Sequence, residues 1–156
     1  ELYHPDRGYF NARECIHTPR EPLNFRAMSG MEEYRAALAQ LYYDGLQGWV
    51  TPVEIFQPWY GHGLANWMLH VREQHDEDET PLVIIEWGAG NGTLAASIMD
   101  YLQAHYPSIY DRTRYVTVEI SRRLAHRQVD VLKPHSPKTA TFWTSATDLP
   151  KHLPTP

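Results

Sequence analysis

The sequence contains a single cysteine, Cys15, among 156 residues. One cysteine cannot form an internal disulfide, so a small secreted domain held by a disulfide framework is excluded and a reducing compartment is favoured. No apolar run approaches the roughly 20 residues of a membrane-spanning helix. Lysine and arginine do not cluster into a basic stripe, and the formal net charge is -5. We therefore expect no membrane span and no nucleic-acid-binding surface.

Metal-binding patterns are missing as well. His70 and His75 flank a helix end, but their spacing is not that of a helical i, i+4 pair and no cysteine joins them. A metal site is therefore not expected. What the sequence does have is 42% hydrophobic residues, which can form a core and argues against general disorder. The length suits one globular domain or a fragment of one.

The stretch 83–95 is the most informative part of the sequence. It starts with a β-branched apolar run that ends in Glu86, and three glycines then alternate with other residues, namely Gly88, Gly90 and Gly92. After them, apolar residues recur every four positions at Leu94, Ile98 and Leu102. The first run predicts a strand of a parallel sheet, and the second predicts an amphipathic helix. The glycines therefore lie at a strand-to-helix turn, where doubly wound sheets bind nucleotides.

The spacing of these glycines narrows the choice of ligand class. A dinucleotide fingerprint needs Gly-x-Gly-x-x-Gly, but Thr93 stands at the third glycine position. Glu86 would repel a pyrophosphate and could attract a cationic amino-acid moiety. Acid-x-Gly-x-Gly-x-Gly, including Ala89 between the first two glycines, resembles the first motif of S-adenosylmethionine-dependent methyltransferases. A methyl donor is therefore favoured over NAD; a glycine-rich turn without a ligand and a Rossmann oxidoreductase are the weaker alternatives.

A second acid follows another predicted strand. Residues 114–119 are β-branched and end in Glu119, and Ser121 is a suitable N-cap for the next helix. In Rossmann-like folds an acid at the end of the second strand accepts hydrogen bonds from a ribose diol. Glu119 is therefore a candidate for binding ribose, the alternative being a solvent-facing glutamate. Residues 106–112 are predicted to be a loop, and a third strand is predicted at 140–144.

The first 80 residues predict helices and loops. Residues 11–28 contain prolines and are predicted to be a loop, after which Ser29 and Glu32 have capping-box spacing at the start of a helix. A second helix has one predicted apolar face, formed by Leu64, Trp67, Met68 and Val71. From residue 82 onward, strands and helices alternate, which predicts an α/β fold with a parallel sheet and right-handed crossover helices.

Four segments occur in the order of four motifs of one known family. They are residues 2–10, positions within 51–67 that include Thr51 and Glu54, residues 86–94 and residues 115–128. Together these segments resemble the MidA family of S-adenosylmethionine-dependent methyltransferases, which includes mitochondrial complex I assembly factors. The resemblance spans most of the chain. It implies the N-terminal portion of a Rossmann-like class I methyltransferase fold, preceded by a helical N-terminal segment.

The resemblance also implies a function and its residues. The cofactor would be S-adenosyl-L-methionine and the substrate a protein arginine, in the mitochondrial matrix or, for a bacterial source, the cytoplasm. The implied cofactor-binding residues are Glu86, Gly88, Ala89, Gly90, Gly92 and Glu119, with Thr51 and Glu54 lining the pocket. Catalytic residues are not assigned. The implied organisation is a cleft-lining extension over 1–80, the first half of the methyltransferase domain over 81–150, and a frayed tail over 151–156.

The sequence departs from the family at several places. Gln47-Gly48-Trp49 stands where the family has Gly-Asp-Phe, so one acid is missing, and the family's Asn-Glu-Phe-Phe-Asp-Ala motif, expected after the third strand, would fall beyond Pro156. A non-enzymatic assembly or scaffold protein is therefore the alternative, and Trp59, Tyr60 and Trp87 are candidates for its interaction surface. Because only three strands are predicted, we expect half of a domain, which in isolation is poorly stable or self-associates as a homo-oligomer.

Overall fold

The computed structural model describes His4 and residues 7–13, 15–44, 48–75 and 80–143. Its helices are α1 (Tyr9–Ala12), α2 (Met31–Asp44), α3 (Pro52–Ile55), α4 (Trp59–Gln74), α5 (Thr93–His105), α6 (Pro107–Arg112) and α7 (Arg122–Val131). Its strands are β1 (Val83–Trp87), β2 (Arg114–Glu119) and β3 (Thr139–Trp143), and short 3₁₀ turns occupy Phe25–Ala27 and Lys133–His135. The predicted tail at 151–156 lies outside the described residues.

The three strands form one parallel sheet in the order β1-β2-β3. Ile84 of β1 lies opposite Tyr115 of β2, which in turn lies opposite Thr139 of β3. Helices α5 and α6 connect the first two strands, and α7 connects the second pair. The predicted α/β fold with a parallel sheet and crossover helices, preceded by a helical segment, is therefore confirmed. The third strand begins one residue earlier than predicted.

The main core lies between one face of the sheet and helices α4 and α5. Ile98 and Leu102, two of the three residues of the predicted stripe, are fully buried there. Complete burial of such a side chain contributes about 1.5–3 kcal/mol to stability. The prediction for α4 was wrong at Trp67, which is 59% exposed. The most buried residues of α4 are Gly61, Ala65, Leu69 and Arg72, and Leu64 and Met68 of the predicted face are partly buried against the core.

The other face of β1 is exposed. Because successive side chains of a strand alternate between its faces, Val83, Ile85 and Trp87 share one side and Ile84 packs into the core on the other. The exposed fractions of these three apolar side chains are 52%, 41% and 58%. Within the described part of the chain, β1 is also an edge strand of the sheet.

Three local predictions were wrong. Residues 106–112 are not a loop, because Pro107 starts helix α6 at a position that needs no backbone donor. The loop predicted at 11–28 contains the end of α1 and a 3₁₀ turn. The side chain that reaches back to Ser29 is that of Glu33, which accepts from the Ser29 backbone N–H and hydroxyl at 2.7 Å each. Helix α2 starts one residue later than the capping-box spacing assumed, so its third position is Glu33 rather than Glu32.

The sequence predicts no membrane span and no metal site, and the following two statements concern the described residues alone. No helix among them is both long and apolar enough to cross a bilayer. Likewise, the described ranges contain no group of three His, Cys, Asp or Glu side chains that could hold a metal ion.

Candidate functional site

The loop between β1 and α5 contains three glycines in the left-handed region of backbone space. The φ angles of Gly88, Gly90 and Gly92 are 68°, 56° and 84°. A side chain at such a position costs on the order of 1–3 kcal/mol in backbone strain. The loop is closed by two hydrogen bonds, from the Gly88 N–H to the Val118 carbonyl at 2.8 Å and from the Gly92 N–H to the Ala89 carbonyl at 2.9 Å. The glycines therefore let the chain turn sharply from the end of the strand into α5.

The space around the three glycines differs. A Cβ atom on Gly88 would meet nothing within 4 Å, whereas one on Gly90 would lie 2.9 Å from Cδ1 of Ile16. A Cβ atom on Gly92 would lie 3.4 Å from Gln128. Gly90 and Gly92 are therefore enclosed by other parts of the chain. Gly88, at the end of β1, faces open space into which a ligand can fit.

Glu86 lies on β1 and is hydrogen-bonded to the neighbouring strand. Its Oε2 accepts from the hydroxyl of Tyr115 at 2.9 Å. Burial raises the pKa of the Glu86 carboxyl; the hydrogen bond from Tyr115 lowers this pKa, and the charge of Glu119 raises it. One strand residue, Trp87, separates Glu86 from the glycine loop. The predicted acid is therefore partly desolvated, and one of its oxygens has a partner.

Glu119 ends β2 and is held firmly in place. Its Oε1 accepts from the backbone N–H groups of Ile120 and Ser121, both at 2.9 Å, and its Oε2 accepts from the Gln128 amide at 3.1 Å. The same Gln128 amide donates to the Gly90 carbonyl at 2.9 Å. A carboxylate offers about four acceptor positions, so Glu119 can accept a further donor. Gln128 links this acid to the glycine loop, a role that the sequence analysis missed although the residue lies in the fourth family segment.

Glu54 is brought to the glycine loop from the N-terminal half of the chain. Thr51 caps α3, since its Oγ1 accepts from the Glu54 N–H at 3.4 Å. The Glu54 side chain is 2% exposed. Its Oε1 accepts from the Thr93 hydroxyl at 2.8 Å and from the Asn91 amide at 3.4 Å. Thr93 and Asn91 are thus site residues that the sequence analysis missed, because nothing local to the loop indicates a partner 37 or 39 residues away.

The N-terminal segment, defined as residues 10–13 and 15–18, lies against both halves of this site. The Asn91 amide donates to the Ile16 carbonyl at 3.1 Å and to Thr18 Oγ1 at 2.8 Å. The hydroxyl of Ser121 donates to the Phe10 carbonyl at 3.1 Å. Cys15 is buried in this segment, and burial raises the pKa of its thiol against a smaller lowering effect of Arg123.

Three buried side-chain oxygens around the loop accept no hydrogen bond from any residue that the structure describes. They are Oε2 of Glu54, Oδ1 of Asn91 and Oε1 of Gln128. Leaving a buried polar atom without a partner costs about 1–3 kcal/mol. Such atoms therefore indicate a place where a donor from a bound molecule is accepted.

The comparisons with known proteins agree with this geometry. Residues 63–155 match the sequence model of a family of S-adenosyl-L-methionine-dependent methyltransferases, which is more than half of the chain. The chain therefore belongs to this methyltransferase family, and the resemblance to MidA-type proteins is confirmed. S-adenosyl-L-methionine, the predicted cofactor, is the cofactor of the family. No curated protein matches the chain.

One solved structure shows the same fold, and two others are similar over about half of the chain. A COG1565 superfamily member from Burkholderia thailandensis, bound to S-adenosyl-homocysteine, is 23% identical with a TM-score of 0.58, and the match covers 90% of this chain and 30% of that one. A native structure of a COG1565 superfamily protein from the same organism is 26% identical, with a TM-score of 0.43 and coverage of 56% and 23%. The DszA carbon methyltransferase is 18% identical, with a TM-score of 0.43 and coverage of 55% and 22%. The chain thus spans less than a third of the length of these structures.

The residues present fit the family's cofactor. S-adenosyl-L-methionine carries a sulfonium, a ribose diol and an amino-acid group, and its hydroxyl and ammonium donors need acceptors. Glu119, Glu54 and Asn91 provide acceptors, two of them with oxygens that have no donor from the described residues. The open space at Gly88 leaves room for the molecule beside the loop.

Proposed function

We propose that the protein is a methyltransferase that transfers a methyl group from S-adenosyl-L-methionine to a protein arginine. We further propose that it takes part in the assembly of mitochondrial complex I, in the matrix, or acts in the cytoplasm if its source is bacterial. Family membership and the buried acceptor network at Gly90, Asn91 and Thr93 support the cofactor. The resemblance to MidA proteins supports the arginine substrate and the assembly role.

The proposed roles follow from the contacts of each residue. Gly88 leaves space for the cofactor, with Ala89, Gly90 and Gly92 holding the loop that carries it. Glu119 accepts from the ribose hydroxyls, and its bonds from Ile120, Ser121 and Gln128 fix the carboxylate beforehand. Glu86 adds a carboxylate next to the loop. Thr51 caps α3 and so positions Glu54.

The bound cofactor supplies a methyl group already activated on a sulfonium. The protein's own contribution is therefore to bind, align and exclude water, more than to move protons. The orienting contacts would come from Glu119 on β2, which Gln128 links to the loop, and from Glu54 on α3, which contacts Asn91 and Thr93, with Glu86 on β1 one residue before the loop. A residue that touches the arginine nucleophile is not assigned.

The experiment that tests this function is calorimetric titration of S-adenosyl-L-methionine into the full-length protein, with NAD as a second ligand. Gly88→Val should abolish binding, because a branched side chain would fill the open space and strain a φ of 68°. Gly63→Ala is the matched control, since Gly63 lies on α4 with nothing within 4 Å of an added Cβ. If a folded protein binds NAD or binds neither ligand, the proposal is wrong.

A second candidate, a non-enzymatic assembly protein that keeps the fold, is favoured by one observation. The aromatic side chains of Trp59, Tyr60 and Trp87 are 60%, 47% and 58% exposed, as a protein-binding surface would require. The two candidates differ in turnover. Methyl transfer to arginine by the full-length protein supports the enzyme, and cofactor binding without turnover on mitochondrial or bacterial protein extracts supports the assembly protein.

A further inference from the structure

The loop between β1 and α5 contains a dipeptide with a covalent chemistry of its own, Asn91-Gly92. The chain has four asparagines, and only Asn91 is followed by glycine. The side-chain amide of an asparagine can be attacked at Cγ by the backbone nitrogen of the next residue. A following glycine favours this attack, because it has no Cβ to hinder the approach and its backbone is conformationally free. On sequence alone, Asn91 is therefore the asparagine most prone to deamidation.

The reaction releases ammonia and then consumes water. The Gly92 nitrogen forms a bond to Cγ of Asn91, and the bond from Cγ to Nδ2 breaks. The proton of the Gly92 N–H passes through solvent to the departing nitrogen, which leaves as ammonia. Water then opens the resulting succinimide ring at either of its carbonyls. One opening gives an aspartate, and the other gives an isoaspartate, in which the main chain runs through the former side-chain carbon.

The departing amide nitrogen is held by three acceptors in the folded protein. Nδ2 of Asn91 donates to the Ile16 carbonyl at 3.1 Å, to Thr18 Oγ1 at 2.8 Å and to Glu54 Oε1 at 3.4 Å. Reversing the amide would bring its oxygen against the Ile16 carbonyl and the Glu54 carboxylate, both of which only accept. The side chain is also 3% exposed. Departure of this nitrogen therefore requires that the surrounding hydrogen bonds open.

The attacking nitrogen is restrained as well. The Gly92 N–H donates to the Ala89 carbonyl at 2.9 Å, and the Gly92 carbonyl accepts from the Ala96 N–H at 3.0 Å. A Cβ atom on this glycine would lie 3.4 Å from Gln128, so the turn is packed against α7. The proton that must leave is thus shared with a carbonyl. The folded loop opposes, at both reacting groups, the reaction that the dipeptide favours.

A carboxylate at position 91 would conflict with the neighbours of the amide that it replaces. An ionised carboxylate cannot donate, so the Ile16 carbonyl and Thr18 would lose their donor. Glu54, which is 2% exposed, would face a second negative charge. An isoaspartate would in addition lengthen the main chain before Gly92. The product therefore cannot restore the contacts that hold the N-terminal segment and α3 at the loop.

We propose that Asn91 is a site of spontaneous deamidation, which its hydrogen bonds to the N-terminal segment and to Glu54 hold back in the folded protein. Local opening of the N-terminal segment exposes the dipeptide, and the product prevents the segment from closing again. Because the reaction is irreversible, the modified fraction grows with the time that the loop spends open. The proposal needs no ligand and does not depend on which substrate the protein methylates.

Incubation of the full-length protein in heavy-oxygen water, followed by mass spectrometry of its peptides, tests the proposal. Ring opening during the incubation places one heavy oxygen in the peptide that contains Asn91. Peptides are resolved individually, because Asp44-Gly45 can form the same ring. We expect labelling at Asn91 to be at least about tenfold slower in the folded protein than in the same protein in urea.

A matched pair of variants tests the part played by the N-terminal segment. Thr18→Val removes one acceptor of the Asn91 amide while keeping the side-chain shape, so labelling should rise about 2- to 10-fold, the effect of one hydrogen bond. Thr18→Ser keeps the hydroxyl and should label as slowly as the unaltered protein. Thr139→Val is the control, since this threonine lies on β3 and its hydroxyl donates to the Leu132 carbonyl at 3.5 Å.

Three results would overturn the proposal. Without labelling in urea, Asn91 is not a deamidation site. Equal labelling in the folded and the denatured protein would mean that the fold does not hold the reaction back. Equal labelling of Thr18→Val and Thr139→Val would remove the N-terminal segment from the explanation. If Thr18→Val lacks a cooperative thermal transition, the unaltered protein is labelled at urea concentrations below its unfolding transition. Faster labelling there is expected, and labelling that rises only with global unfolding would refute local opening.

Discussion

The three glycines of the loop, Gly88, Gly90 and Gly92, have the same kind of backbone conformation but different surroundings. All three have positive φ, but the first faces open space, the second faces Ile16 and the third packs against Gln128. The pattern of glycines predicted the turn and its conformations. It could not predict which glycine faces the ligand, because the residues that enclose the other two come from distant parts of the chain. Gly88, the position where an added Cβ would meet nothing within 4 Å, is the one that we propose faces the cofactor.

Gly88→Ala and Gly90→Ala should differ in stability although both place a side chain at positive φ. Only the Cβ atom at Gly90 would meet another group, Cδ1 of Ile16 at 2.9 Å. Because Cδ1 is the far end of the Ile16 side chain and can move aside, we expect Gly90→Ala to lower the free energy of unfolding by only about 0.5–1 kcal/mol more than Gly88→Ala, as measured by urea denaturation. Adding Ile16→Ala should remove most of that difference. If Gly90→Ala and Gly88→Ala lower the free energy of unfolding equally, both with Ile16 and with Ile16→Ala, the N-terminal segment does not lie over the loop.

At the scale of helices and strands, periodicity located the large apolar residues and missed the close contacts. The stripe on α5 was right because Ile98 and Leu102 fill the space between helix and sheet. The face of α4 was wrong at Trp67, because that helix approaches α5 through its small residues. Gly61 lies so close that an added Cβ would be 2.5 Å from Cβ of Ser97. A pattern of hydrophobic residues does not reveal a close helix contact that depends on a glycine.

The two interior glycines of α4 provide a matched pair for this contact. Gly61→Ala should destabilise the protein by about 1–3 kcal/mol, because the added methyl group separates α4 from α5. Gly63→Ala should be neutral or stabilising by about 0.5–1 kcal/mol, because alanine favours the helix and nothing lies within 4 Å. Urea midpoints of the two variants give the comparison. A Gly61→Ala protein as stable as Gly63→Ala would contradict the close packing of the two helices.

At the scale of the whole molecule, the sheet is covered unevenly, because β1 has one exposed face whereas both faces of β2 are buried. The sequence was sufficient to predict a parallel sheet, its three strands and the family, because local runs and motif order encode them. It did not predict that the N-terminal segment reaches the site, since the bonds from Asn91 to Ile16 and Thr18 join positions 75 and 73 residues apart. Contacts over such distances depend on the packing of the N-terminal segment, for which no local pattern exists.

The exposed face leads to the last prediction, which concerns self-association of the 156-residue chain expressed alone. β1 is an edge of the described sheet and carries Ile85, 41% exposed, beside Val83 and Trp87. Unpaired edges with apolar side chains tend to pair with other copies, and a charge at such a position opposes pairing. We expect sedimentation velocity to detect concentration-dependent oligomers that Ile85→Glu reduces. Val129→Glu, at an exposed site on α7, should leave them unchanged. A chain that stays monomeric up to about 100 μM would contradict this prediction, since edge-driven association is typical at micromolar concentrations.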